Sequence, residues 1–193
     1  MIKAVSLIAG FVFGVFLAVA AQAGLVSPPA LLEITNVPPN DTLNLRDGPS
    51  GSSADIGDLK NGDLVEVLNT QGNWGMIGHG EGDAWISLRY TKQVARPVLS
   101  SGLPVGLGCS GTEPFWSLDL LKLGAISIDG ASQPILQSGV SRNSSIAYFF
   151  STPDSVGVLR AQQCSDSMSD RTYGWQIDFV SGQGLYSGCC FIR

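Results

Sequence analysis

Near the end of this chain, in "YSGCCFIR", two cysteines stand side by side, Cys189 and Cys190. The segment reads as a β-strand, where neighbouring side chains point to opposite faces. A bridge between Cys189 and Cys190 would strain the peptide that joins them. Each therefore needs its own partner, one on either side of the strand. The chain offers two more cysteines, Cys109 and Cys164. The expectation is two disulfides, each joining one of Cys189 and Cys190 to one of Cys109 and Cys164, with both connectivities open. A zinc site fits less well, because the spacing lacks Cys-x-x-Cys knuckles. A catalytic thiol lacks a histidine near it in sequence.

Such a framework requires an oxidising compartment, and the other end of the chain points to one. "MIKAVSLIAGFVFGVFLAVAAQA" carries an early positive charge, Lys3, and then an apolar run from Ala4 to Ala20. Ala21-Gln22-Ala23 puts small residues at the two positions that a signal peptidase reads. The apolar run is near the minimum length for a membrane span, but no positive stop-transfer cluster follows it. The expectation is a signal peptide over residues 1–23, no stable membrane anchor after cleavage, and a periplasmic or secreted bacterial protein.

The formal charge is −5 with no basic run, which argues against nucleic acid and anionic lipid surfaces as partners. Twenty-four glycines and a charged fraction of 14% suit many turns and short strands. No stretch shows a clean i, i+3, i+4, i+7 apolar stripe, so the fold class is all-β. A Pro/Gly/Ser-rich linker at 94–106 separates two blocks, expected at 32–93 and 107–193.

In the first block, Leu43 and Leu45 alternate with Asn44 and Arg46. Asp47-Gly48-Pro49 turns the chain, and Lys60-Asn61-Gly62-Asp63 forms a tight turn. "GNWGMIGHG" and "GDAWISLRY" make a hairpin around His79 to Asp83. Five short strands within some 60 residues suggest a small bent barrel. In the second block, about six strands suggest a disulfide-stapled barrel or sandwich. They include Phe115 to Leu120, "AISIDG", a hairpin of "SIAYFFS" and "VGVLRA", and the alternation Trp175, Ile177, Phe179.

"LNLRDGPS", "IGDLKNGDLVEVL", "NWGMI" and "GDAWISLRY", in that order and spacing, resemble the bacterial SH3 domain, over roughly Leu32 to Gln93. The resemblance implies an SH3-like barrel and, as in many members, binding of peptidoglycan or its peptides. "CSGTEPFW", "CSDSMSDRTYGW" and "YSGCC" together resemble a group of bacterial envelope proteins with no established activity to carry over. That likeness covers about Leu107 to Arg193.

Trp74, Trp85, Tyr90 and Arg46 are the candidate ligand-binding residues, since aromatic rings offer a flat apolar face with a polar tip. Trp85, flanked by Ala84 and Ile86, reads mainly as core. Trp74, after the Gly72-Asn73 turn, reads as a partly exposed rim. Arg46 either meets a ligand carboxylate or, in the preferred reading, fixes the barrel through Asp47 or a backbone carbonyl. Asp166, Asp170 and Arg171 form a candidate polar loop, read first as organised by its own side chains.

His79, Glu81 and Asp83 alternate as metal ligands would, but three interleaved glycines make a floppy set, so no metal and no cofactor is expected. His79 is the only histidine, which argues against the usual zinc amidases and Cys-His peptidases. There is no Gly-x-Ser-x-Gly elbow. Asn143-Ser144-Ser145 matches a glycosylation acceptor and reads as coincidence in a bacterial protein. The leading expectation is thus a non-catalytic envelope protein. Its partner would be peptidoglycan or another envelope peptide or protein. The alternative is an envelope enzyme or enzyme inhibitor acting through the second block.

Overall fold

The structure is a computed structural model that describes residues 26–142, 146–182 and 184–192. The expected signal peptide, residues 1–23, and the Asn143-Ser144-Ser145 match lie outside the described residues. No α-helix occurs among them, and the fold is all-β.

The first block holds β1 (Ala30–Ile34), β2 (Leu43–Arg46), β3 (Asp55–Leu59), β4 (Leu64–Val67), β5 (Asn69–Gln71), β6 (Trp74–His79), β7 (Gly82–Ser87) and β8 (Thr91–Gln93). They form a three-stranded sheet, β4-β1-β8, and a five-stranded sheet, β3-β2-β7-β6-β5. The alternation read from the sequence supplies the core. Leu43, Leu45, Val65, Val67, Ile77, Ala84 and Ile86 point inward and meet Leu32 and Ile34 of β1. Burying such aliphatic side chains is the main drive to fold. Gly62, in the Asn-Gly turn, has φ +92°, a conformation that glycine adopts without steric cost.

Trp85 corrects its expectation as core. Ala84 and Ile86 are fully buried, so in a strand the residue between them faces outward. Trp85 is half-buried on that outer face, opposite Met76 on β6 and Arg46 on β2.

The second block holds nine strands where about six were expected. They are β9 (Leu107–Thr112), β10 (Phe115–Leu121), β11 (Ala125–Ile128), β12 (Ala131–Pro134), β13 (Gln137–Arg142), β14 (Ile146–Ser151), β15 (Ser155–Cys164), β16 (Tyr173–Ser181) and β17 (Gly184–Ile192). All pair antiparallel, in the order β12-β11-β10-β9-β17-β16-β15-β14-β13, a half-barrel with β12 and β13 at its edges. Its concave side is filled by Trp116, Leu118, Leu120, Phe150, Leu159, Trp175, Ile177 and Phe179. The Trp116 ring meets Phe179 edge-on at 4.9 Å, a favoured aromatic geometry.

Two disulfides staple this block. Cys109 bonds Cys190, its direct partner in the β9–β17 ladder, and Cys164 at the end of β15 bonds Cys189. The vicinal pair thus has one partner on each side of its strand. Residues 94–106 pack rather than dangle: Leu103 is fully buried in the second core and Val105 is nearly so.

Candidate functional site

Three of the four residues proposed for ligand contact meet on the barrel. A cavity of about 450 Å3 is lined by Arg46 of β2, Trp74 at the start of β6, and Arg89 and Tyr90, with Asn44, Asn73 and Ser87 between them. Local structure sets each position. The Gly72-Asn73 turn delivers Trp74 to the rim, where it pairs with Ser87 across the hairpin. After Ser87 the chain makes one 3-10 turn, Leu88–Tyr90, closed by the Thr91 hydroxyl donating to the Leu88 carbonyl at 2.8 Å. That turn swings Arg89 and Tyr90 to the same mouth. Trp85 does not line the cavity; it lies beside it, against Arg46.

Arg46 donates from Nη1 to the Ser53 carbonyl at 3.0 Å, holding the 47–54 turn as its preferred reading held. A guanidinium has five N–H groups, so the side chain keeps donors while it braces the turn. Arg89 was not singled out in the sequence. Its Nη2 donates to the Tyr90 hydroxyl at 2.5 Å and its guanidinium lies 4.8 Å from that ring's centroid. The signal available was its place beside Tyr90 in "SLRY". Two aromatic rings and two guanidiniums, with no carboxylate among the described residues of the lining, suit a short peptide that presents a carboxylate.

The second concentration of polar chemistry is the seam between the blocks. Asp83 accepts from the Thr172 amide at 2.9 Å and from its hydroxyl at 2.6 Å. Arg171 reaches across to the Gly80 carbonyl at 3.3 Å, its guanidinium over the Tyr173 and Phe191 rings. The expectation that Arg171 is satisfied within its own loop is therefore corrected. The "HGEGD" tip receives it. A Cβ at Gly78 would come within 2.9 Å of both the Arg171 Nε and the Thr172 carbonyl. A glycine there lets the loop approach. His79, Glu81 and Asp83 do not converge, and among the described residues no three of His, Cys, Asp and Glu gather as a metal site would need.

At the other end of the seam Glu66 is buried. Its Oε1 accepts from the Trp175 indole at 2.7 Å and forms a short ion pair with Arg96, whose guanidinium lies 4.8 Å from the Trp175 centroid. Burial pushes the Glu66 carboxyl above its usual range, although Arg96 and the indole pull it down. A groove of about 490 Å3 runs along this seam, walled by Leu64, Ile77, His79, Arg171, Tyr173 and Phe191.

Asp166 is organised locally. It accepts from the Met168 and Ser169 amides, each at 3.0 Å, from the Ser169 hydroxyl, and from the Tyr173 hydroxyl at 3.0 Å. Burial alone would raise its carboxyl, but these donors hold it below the usual carboxylate range. Burial and the bond to Asp166 raise the Tyr173 phenol. Asp170 is exposed on the loop.

Comparison with known families agrees with the first block's motifs. The family model of the bacterial SH3 domain matches residues 41–92, the stretch from just before β2 to the middle of β8. The match does not extend to the second block. No curated protein and no solved structure matches the chain.

Proposed function

We propose that this is an exported envelope protein, cut from its leader after Ala23, whose SH3-type barrel holds a cell-wall peptide without catalysing a reaction. The ligand sits in the cavity of Arg46, Trp74 and Tyr90. Residues 32–93 form the binding barrel, 94–106 a packed strap, and 107–193 the stapled block that supports and presents it.

One observation carries this reading. In a chain of formal charge −5, this one cavity gathers two guanidiniums and two aromatic rings with no carboxylate among them. Long-range attraction for the acidic cell wall is lacking, so affinity comes from short-range stacking and charge-assisted hydrogen bonds. The peptide stem of peptidoglycan carries free carboxylates for Arg46 and Arg89 and a backbone to lie on Trp74 and Tyr90.

The test is direct. Purified protein should pellet with insoluble peptidoglycan, and soluble stem peptides should release it. An amidated stem peptide should compete less well than the free acid. Failure of the protein to bind either peptidoglycan or stem peptides at low salt overturns the proposal.

A further inference from the structure

The three stretches that set the second block apart in the sequence converge at one point, away from the barrel cavity. Ser110 and Thr112 come from "CSGTEPFW", Ser165 and Ser167 from "CSDSMSDRTYGW", and Ser187 from "YSGCC". With Gln176 they line a cavity of about 220 Å3. The disulfides hold its walls together. Cys164–Cys189 ties the loop carrying Ser165 and Ser167 to β17, and Cys109–Cys190 ties β9 to β17 immediately beside it.

Two glycines in the lining are held by close packing. A Cβ at Gly188 would fall 2.1 Å from the Ser110 carbonyl and 2.6 Å from the Trp116 ring, and one at Gly111 only 2.2 Å from the Trp116 Nε1. Glycines at 111 and 188 thus let β9 and β17 close on each other and on the buried indole, and hydroxyls line the cavity beside them.

The chemistry of the lining selects its ligand. Among the described residues, no Lys, Arg or His contributes to it. Its single carboxylate, Asp166, is held by the Met168 and Ser169 amides and two hydroxyls. An anion finds no counter-charge, and the one carboxylate is already engaged by four donors. No large apolar side chain lines it either, so an apolar group gains little by entering. What remains are hydroxyls and one amide, groups that both donate and accept. The Ser187 hydroxyl donates to Asp178 at 2.7 Å and the Ser165 oxygen accepts from the Ser167 amide at 3.2 Å. These contacts fix two of the groups for a ligand. The volume lies below the roughly 300–1,000 Å3 of sites for drug-sized molecules and suits a single ring.

We propose that this cavity is a second binding site, for one neutral sugar residue of a glycan. It does not depend on the peptide-binding reading of the barrel. A neutral pyranose presents hydroxyls and, when N-acetylated, an amide, which can exchange hydrogen bonds with the Ser and Thr hydroxyls and the Gln176 amide of the lining.

The probe is the trimer of N-acetylglucosamine, titrated into the purified protein and followed by amide chemical shifts. The expected result is saturable binding, with shifts concentrated at Gly111, Ser167 and Gly188. Thr112→Val keeps the side chain's shape and removes its hydroxyl; Ser110→Ala removes another. Each should weaken binding about five- to ten-fold with an unchanged melting temperature. Three outcomes overturn the proposal: no saturation up to about 10 mM sugar, equal affinity in both variants and wild type, or triglycine shifting the same amides as strongly as the sugar.

Discussion

At the scale of single residues, the two tryptophans of the barrel hairpin show what one sequence can and cannot disclose. Trp74 was legible as a rim residue because it follows a turn, and it lines the cavity. Trp85 was misread because its apolar neighbours in the strand suggested burial. Its neighbours, Ala84 and Ile86, are smaller but take the inward face. Which face of a strand is buried depends on its partners, and these are not written beside it. If the cavity binds peptide, Trp74→Ala should cost about 2 kcal/mol of binding, roughly thirty-fold in affinity. Its melting temperature should be nearly unchanged. Trp85→Ala should lower stability only by about 1 kcal/mol, the value of a cross-strand pair. A much larger loss in denaturant titration would mean that the ring is core after all. Glu66 was not legible either, since its partners Arg96 and Trp175 lie 30 and 109 residues away. Its carboxyl is raised by burial above 4.5, so the folded state binds a proton more readily than the unfolded chain. Stability from this group is therefore present below about pH 4.5 and is lost as pH rises through the raised value. Relative to Glu66→Gln, wild type should gain stability as pH falls from 7 towards 4. An equal pH dependence of the two proteins would contradict the raised carboxyl.

Among the elements, β17 is the most informative. Its vicinal cysteines announced a strand bonded on both faces, and only the choice between two connectivities waited for the structure. The register decides it: Cys190 faces Cys109 directly across the ladder, which leaves Cys189 for Cys164. The bridges enclose unequal loops, with sequence separations of 81 and 25. In the chain-entropy account these are worth about 4.5 and 3.5 kcal/mol. Cys109→Ser should therefore lower the melting temperature more than Cys164→Ser does, and should free the Cys190 thiol to a thiol reagent under denaturing conditions. Peptide mapping without reductant that finds Cys189 linked to Cys190 would refute both the pairing and this ranking. The strands that the sequence hid were β9, whose "LGCSGT" carries two glycines, and the two edges of the half-barrel, β12 and β13. "ASQP" and "QSGVSR" have almost no apolar residues to alternate, because an edge strand packs little and its pattern is weak. The strap at 94–106 was hidden for a related reason. Its prolines and glycines read as a linker, yet Leu103 enters the second core and Val105 is buried, from an irregular backbone that has no period to detect.

For the whole molecule, the question is whether two β-blocks fold as one. The seam supplies a physical answer through contacts that join residues some 90 positions apart, such as Asp83 with Thr172 and Gln163 with the Leu68 carbonyl. Contacts of that range leave no trace in local patterning. The tip glycines and the "DRTY" stretch looked like separate loops, although each shapes the other. Removing Asp83 leaves the partly buried Thr172 amide without its acceptor, at a cost of about 2 kcal/mol. For a chain of this size that is roughly 4–8 °C of melting temperature. Glu66 and Asp83 each tie the first block to the second, so their loss together removes both anchors of the seam. In the wild type, docking makes the blocks unfold as one, and calorimetry should give a single transition with equal calorimetric and van't Hoff enthalpies. In the Asp83→Ala/Glu66→Ala double variant the blocks should melt separately, as two resolved transitions. The disulfide-stapled block should be the later one, because its cross-links restrict only its own unfolded chain. Limited proteolysis should then cut within 94–106, where the strap has lost the Glu66 contact to Arg96. Two transitions already present in the wild type would show that the seam is too weak to couple the blocks.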